Sequence, residues 1–238
     1  MDPSRVLCNA GFLILGLVFS SVIIQNYWIR NDWNKNIYGL GSDKILMNLH
    51  FVGGILAMIL YPIQRMIVSL KIIHILIGVI LYLCGIMSSI GGITFIVTHH
   101  TIGGQFMDIS FAIYGALMFF ISLYGFIVSI WLCTTYDDIK YIHYNINNIY
   151  GALIYSSLFY RVLYTYAKIF NYPIPTNSTP NYYKRPLDQT FQVLFYTIPL
   201  FMILIYNYVV YKRLDGLRTS LKCLMTLAMA ITILLILV

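Results

Sequence analysis

The chain has 238 residues, of which 60% are hydrophobic and only 10% charged, with a mean hydropathy of +0.79. A soluble domain carries about a quarter of its residues charged, and a chain this apolar cannot cover its own surface in water, which excludes a soluble globular protein. The formal charge of +7 comes from Lys and Arg set singly or in pairs beside apolar runs. That pattern excludes a nucleic-acid binder and fits loop charges that set topology and meet lipid headgroups.

A spanning helix needs about 20 mainly apolar residues. Runs that qualify lie at 6–25, 46–69, 72–98, 109–134, 142–167, 189–211 and 219–238. The expectation is an all-α, polytopic membrane bundle of seven transmembrane helices, forming a single domain over 1–238. The first run is counted as a retained span and not as a cleaved leader. The connections are short except 26–45 and 168–188, which are polar and aromatic and too small to be domains.

Call the face of the N-terminus side B and the opposite face side A. Side B then carries Arg5, Arg65, Lys71, Lys140, Lys212, Arg213, Arg218 and Lys222, mostly in short loops. Side A carries Arg30, Lys35, Lys44, Lys168, Lys184 and Arg185. The positive-inside rule makes side B cytoplasmic and sends the C-terminus to the lumenal or external side. Asn177-Ser178-Thr179 on side A is a glycosylation tripeptide that agrees with this. Cys8, Cys84, Cys133 and Cys223 lie far apart in or beside apolar runs, with no CxxC pair, and read as small packing residues.

The chemistry lies with the histidines, all of which fall in spans two to five (46–167), the histidine-bearing core. His50 opens the second span on side A, His74 opens the third on side B, His99 and His100 close the third on side A, and His143 opens the fifth on side B. Ionisable residues at membrane depth are costly and usually face a bundle interior. Lys71-Ile72-Ile73-His74 and Lys140-Tyr141-Ile142-His143 share the pattern K-x-I-H, and both open helices running in the same direction. Parallel helices would hold the two imidazoles at one depth, as the axial ligands of a haem iron. The lysines, one turn nearer the water, would meet its propionates. The bland alternative is that both tetrapeptides are interfacial anchors.

Lys71, Gly78, Gly85, Gly92 and His99 recur every seven residues and stay close to one stripe of the third span. Such glycines admit either a flat cofactor or a neighbouring helix. Arg161 lies inside the fifth span, 18 positions after His143 and so on its face. It reads as the charge partner of an anion near side A or as a snorkelling residue. His50 with His99 is expected to form a second, weaker site there, with Arg161 beside it; His100 is the neighbouring candidate.

These residues carry a resemblance. The motifs are His50-Phe51-Val52-Gly53-Gly54, Tyr61-Pro62-Ile63-Gln64, His74-Ile75-Leu76-Ile77-Gly78, the His99 or His100 end of span three, His143, and Arg161. In this order and spacing, residues 48–161 resemble a bacterial family of membrane proteins defined by a domain of unknown function. That family is distantly similar to the transmembrane b-type cytochromes of the cytochrome b-561 class. The resemblance implies one or two b haems held by histidine pairs and electron transfer between the membrane faces. The family pattern has basic and aromatic residues after the histidines matching His74 and His143, where this chain has Ile75, Leu76, Tyr144 and Asn145.

Seven spans in a short chain is also the plan of microbial rhodopsins. Retinal needs a lysine deep in the last helix, whereas Lys222 lies at its entrance and no Asp falls deep in any span. Two classes of function remain. One is a b-haem oxidoreductase that passes electrons across the membrane, with ascorbate, a quinol or ferric iron as donor or acceptor. The other is a non-enzymatic membrane protein, a transporter or structural component, whose histidines bind a metal or only pack. The expected partners are the lipid bilayer and that small electron carrier; no nucleic acid is expected, and a homodimer is compatible with the chain. Richness in Ile, Asn and Tyr points to an AT-rich genome, of a protist or a large virus.

Overall fold

A computed structural model describes residues 3–31, 44–99, 105–132 and 146–158, with the single residue 205. The described part is all helical. Helix α1 runs Pro3–Ile23 and continues as a π-helix over Ile24–Ile29; α2 is Lys44–Met66, α3 Lys71–His99 and α4 Gln105–Leu132. A fifth helix, α5, covers 146–158. Four segments are long and apolar enough to cross a bilayer: Val6–Ile29, Lys44–Met66, Lys71–His99 and Phe111–Ile130. They coincide with the first four expected spans. The fifth expected span is described only over 146–158, and the last two lie outside the described residues apart from residue 205.

The first span runs farther than its hydropathy suggests. Gln25 and Asn26 interrupt the apolar run, yet the chain stays helical by widening to i→i−5 bonding, with the Arg30 N–H on the Gln25 carbonyl at 2.8 Å. Aromatic packing holds this extension. The Tyr27 ring meets Phe51 edge-on at 4.7 Å and Trp28 at 5.1 Å, and the Trp28 indole N–H donates to Asn48 Oδ1 at 3.0 Å. Asn31, at φ 57°, then ends the helix in the left-handed region that Asn tolerates.

Helix α2 contains Pro62, which cannot bond to the Met58 carbonyl four residues back. That carbonyl faces Gly16 of α1: a methyl group added there would stand 2.9 Å from Met58 O. A neighbouring helix thus covers the backbone group that the proline leaves, as proline in a spanning helix requires. The α2–α3 connection is a tight turn. The Leu70 N–H bonds to Ile67 O at 2.9 Å and the His74 N–H to Leu70 O at 2.8 Å. Helix α3 therefore starts at once and runs back along α2.

The short helix α5 sits at the centre, with most of its residues buried. Tyrosine hydroxyls tie it to each of the other described helices. Tyr150 donates to Leu81 O of α3 at 2.6 Å, and Tyr155 to Asn9 Oδ1 of α1 at 2.6 Å. Tyr61 of α2 donates to Asn147 O at 3.1 Å, and Tyr114 of α4 to Leu153 O. Lipid tails are as apolar as Leu, so helices in a membrane associate through close packing and polar bonds. Here tyrosine supplies both: the rings of Tyr82, Tyr150, Tyr61, Tyr155 and Phe12 follow one another at 5.3, 5.9, 5.2 and 3.9 Å. Outward positions such as Leu17, Ile80, Ile113 and Phe120 are large, apolar and exposed, as a lipid-facing surface demands.

Candidate functional site

Histidine in a helix that faces a neighbouring helix must find polar partners there, because the bilayer offers no water. His50 and His74 both find them across the α2–α3 pair. His50 Nδ1 lies 2.9 Å from the Ser88 carbonyl, and His74 Nδ1 lies 2.9 Å from the Gln64 carbonyl. A carbonyl oxygen only accepts, so in each ring Nδ1 carries a proton. Side chains return the bond. Ser88 Oγ donates to the His50 carbonyl at 3.0 Å, and Gln64 Nε2 to the His74 carbonyl at a longer 3.4 Å. Both histidines are partly buried, and Gln64 is wholly buried, its Oε1 without a partner among the described residues.

Glycine makes this approach sterically feasible. A methyl group at Gly91 would stand 2.7 Å from the His50 backbone nitrogen, and one at Gly53 would stand 2.8 Å from that of Ser88. The stripe Gly78, Gly85, Gly92 is occupied by side chains of neighbouring helices. A methyl at Gly78 would meet Gln64 Nε2 at 2.7 Å; at Gly85, Tyr150 Cε2 at 2.9 Å and the Ser122 hydroxyl; at Gly92, His50 Nδ1 at 2.8 Å.

The other expected site residues are placed as follows. Lys71 is the exposed first residue of α3, three positions before His74. His99 is the exposed last residue of α3, its ring stacked on Phe95 at 5.1 Å. It lies seven positions beyond Gly92, about 10 Å farther along the axis than the level where His50 packs. The structure therefore does not bring His50 and His99 to one level. His100, Lys140, His143 and Arg161 lie outside the described residues. Among the described residues, no three His, Cys, Asp or Glu side chains converge as a metal-binding group.

Sequence reasoning passed over Ser88 and gave Gln64 no role. A signal was present: each is a polar residue in an apolar run, 14 positions after a histidine. No known protein family, curated protein or solved structure matches this chain.

Proposed function

We propose that the chain is an integral membrane b-haem protein that passes electrons across the bilayer, with seven spans and side B in the cytoplasm. His74 and His143 would hold the haem near side B, and Lys71 and Lys140 would lie beside its carboxylates. The observation that carries this reading is the 2.9 Å contact between His74 Nδ1 and the Gln64 carbonyl. A metal-ligating histidine characteristically gives its other ring N–H to a backbone carbonyl, which fixes its tautomer and raises its basicity. The donor chemistry thus fits haem iron, which a bound haem would use for one-electron exchange.

His50 is held in the same way and anchors a second, weaker site near side A, with Arg161 as its charge partner and the second imidazole from His99, a level farther out, or from its neighbour His100. In this reading the glycines at 78 and 85 serve helix packing. The resemblance of residues 48–161 implies a b-561-like plan, in which the small electron carrier would be ascorbate, a quinol or ferric iron. Absorbance of protein purified after haem-supplemented expression tests the proposal. A sharp reduced b-type band is expected, and His74→Ala or His143→Ala should abolish its low-spin form. A protein with no chromophore, or two variants with unchanged low-spin spectra, would overturn the assignment and leave the non-enzymatic reading.

A further inference from the structure

The two histidine contacts are the same device used twice. His50 of α2 reaches across to Ser88 of α3, and His74 of α3 reaches across to Gln64 of α2. In both, the ring Nδ1–H rests on a backbone carbonyl of the opposite residue. In both, the side chain of that residue donates back to the histidine's own carbonyl. Each histidine is followed four positions later by a glycine, Gly54 or Gly78, on the same helix. The side-chain donor packs over that glycine: a methyl at Gly54 would touch Ser88 Oγ at 3.4 Å, and one at Gly78 would touch Gln64 Nε2 at 2.7 Å. Adding 24 to the number of any member of one set gives its counterpart: His50 to His74, Gly54 to Gly78, Gln64 to Ser88.

Helices α2 and α3 are antiparallel, so this exchange corresponds to a local two-fold axis across the pair, between 57 on α2 and 81 on α3. Such a two-fold carries each histidine of the pair to the opposite end of the α2–α3 contact. The two histidines are offset by 14 residues of helix, about 21 Å. The turn at 67–70 and the close glycine contacts fix the register that brings each donor opposite its histidine.

We infer that α2–α3 is an inverted repeat of one imidazole-presenting unit, His-x3-Gly with a donor 14 positions downstream, and that Gln64 and Ser88 are its positioning residues. The backbone carbonyl of each holds one histidine as the Nδ1–H tautomer, so that Nε2 presents its lone pair, and the side chain of each braces that approach through the histidine's own carbonyl. The use of that lone pair by iron rests on the function proposed above; the tautomer lock itself does not.

The test is nitrogen NMR of the full chain, labelled with 15N-histidine in detergent micelles and free of haem, with His50→Gln and His74→Gln to assign the signals. Both histidines should show a protonated Nδ1 and an unprotonated Nε2. Ser88→Ala removes the brace on the His50 carbonyl but keeps the Ser88 carbonyl that accepts the Nδ1–H. It should loosen that contact and raise the Nε2–H tautomer of His50, by at most about the two- to tenfold that one whole hydrogen bond is worth. It should leave His74 unchanged. Gln64→Met, nearly isosteric, should do the converse. Gly78→Ala, which drives the Gln64 amide aside, should reproduce the Gln64→Met result. If Gln64→Met does not fold, Ser88→Ala and Gly78→Ala carry the test. An Nε2–H tautomer at either histidine in the parent protein overturns the inference. So does any folded variant that leaves both populations unchanged or shifts both together. A haem-binding protein with unlocked tautomers refutes the lock alone; locked tautomers without a haem spectrum refute the function alone.

Discussion

Gly53 and Gly54 are adjacent on α2, and alanine should have opposite effects at the two positions. A methyl at Gly53 would stand 2.6 Å from the Cys84 carbonyl and 2.8 Å from the Ser88 backbone nitrogen. Both are backbone atoms of α3, so relief requires the helices to part. Among the described residues, a methyl at Gly54 meets only the Ser88 hydroxyl, at 3.4 Å, an ordinary contact. Alanine gains about 1 kcal/mol over glycine in a helix interior at either position. Overpacking a close contact costs about 1–3 kcal/mol, and only Gly53 incurs it. The propensity gain is common to both, so Gly53→Ala should be about 1–3 kcal/mol less stable than Gly54→Ala. That difference is about five- to 160-fold in the unfolding equilibrium. Reversible unfolding in mixed micelles, followed by circular dichroism, measures it. Equal midpoints, or the reverse order, would show that α2 and α3 do not meet through Gly53.

Tyr150→Phe removes the hydroxyl bond to Leu81 O but keeps the ring between Tyr61 and Tyr82; a loss of about 0.5–1.5 kcal/mol is expected in the same unfolding measurement. Tyr150→Ala also empties a fully buried ring site and should cost about 3–5 kcal/mol. Asn48→Leu takes away the acceptor of the Trp28 indole; with Trp33 and Trp131 replaced by Phe, the emission maximum of Trp28 should move, whereas an unchanged maximum would count against the α1–α2 tie. For topology, cysteine labelling should reach Ser178→Cys from outside the cell and not Thr219→Cys; the opposite pattern would invert the assignment of sides.

The membrane class and the first four spans were legible because length and hydropathy alone define a spanning helix. The end of α1 was not. Gln25 and Asn26 lower the hydropathy there, and only the packing of Tyr27 and Trp28 against Phe51 and Asn48 explains why the helix continues. His50 and His74 stood out as polar residues in apolar runs. Their partners did not, since periodicity relates residues along one helix, whereas Ser88 and Gln64 act across two. The seven-residue glycine stripe was visible in α3, but which groups fill it depends on four side chains from three other helices: Gln64 and His50, Ser122, and Tyr150. Likewise, a chain with 21 tyrosines gives no sign of which four direct their hydroxyls to or from the central helix.

The histidine geometry follows from what can and cannot hold two helices together in lipid. Burying apolar side chains between α2 and α3 gains little over leaving them in the acyl chains, so hydrophobicity does not select a register. Close contact does. If α3 slid by one residue, Ile90 or Gly92 would replace Gly91 against the His50 backbone, and Met87 or Ser89 would replace Ser88 opposite Gly53 and His50. Met87 has no donor for the His50 carbonyl, and the Ser89 hydroxyl is already bonded to Gly85 O at 2.7 Å. At the other end the same slip would take Gln64 off Gly78 and His74 off the Gln64 carbonyl, leaving an imidazole N–H unsatisfied in an apolar layer, at about 1–3 kcal/mol. The two ends therefore penalise the same slip independently, and a register that satisfies one histidine also satisfies the other. This coupling makes the orientation of both imidazoles a property of the α2–α3 hairpin.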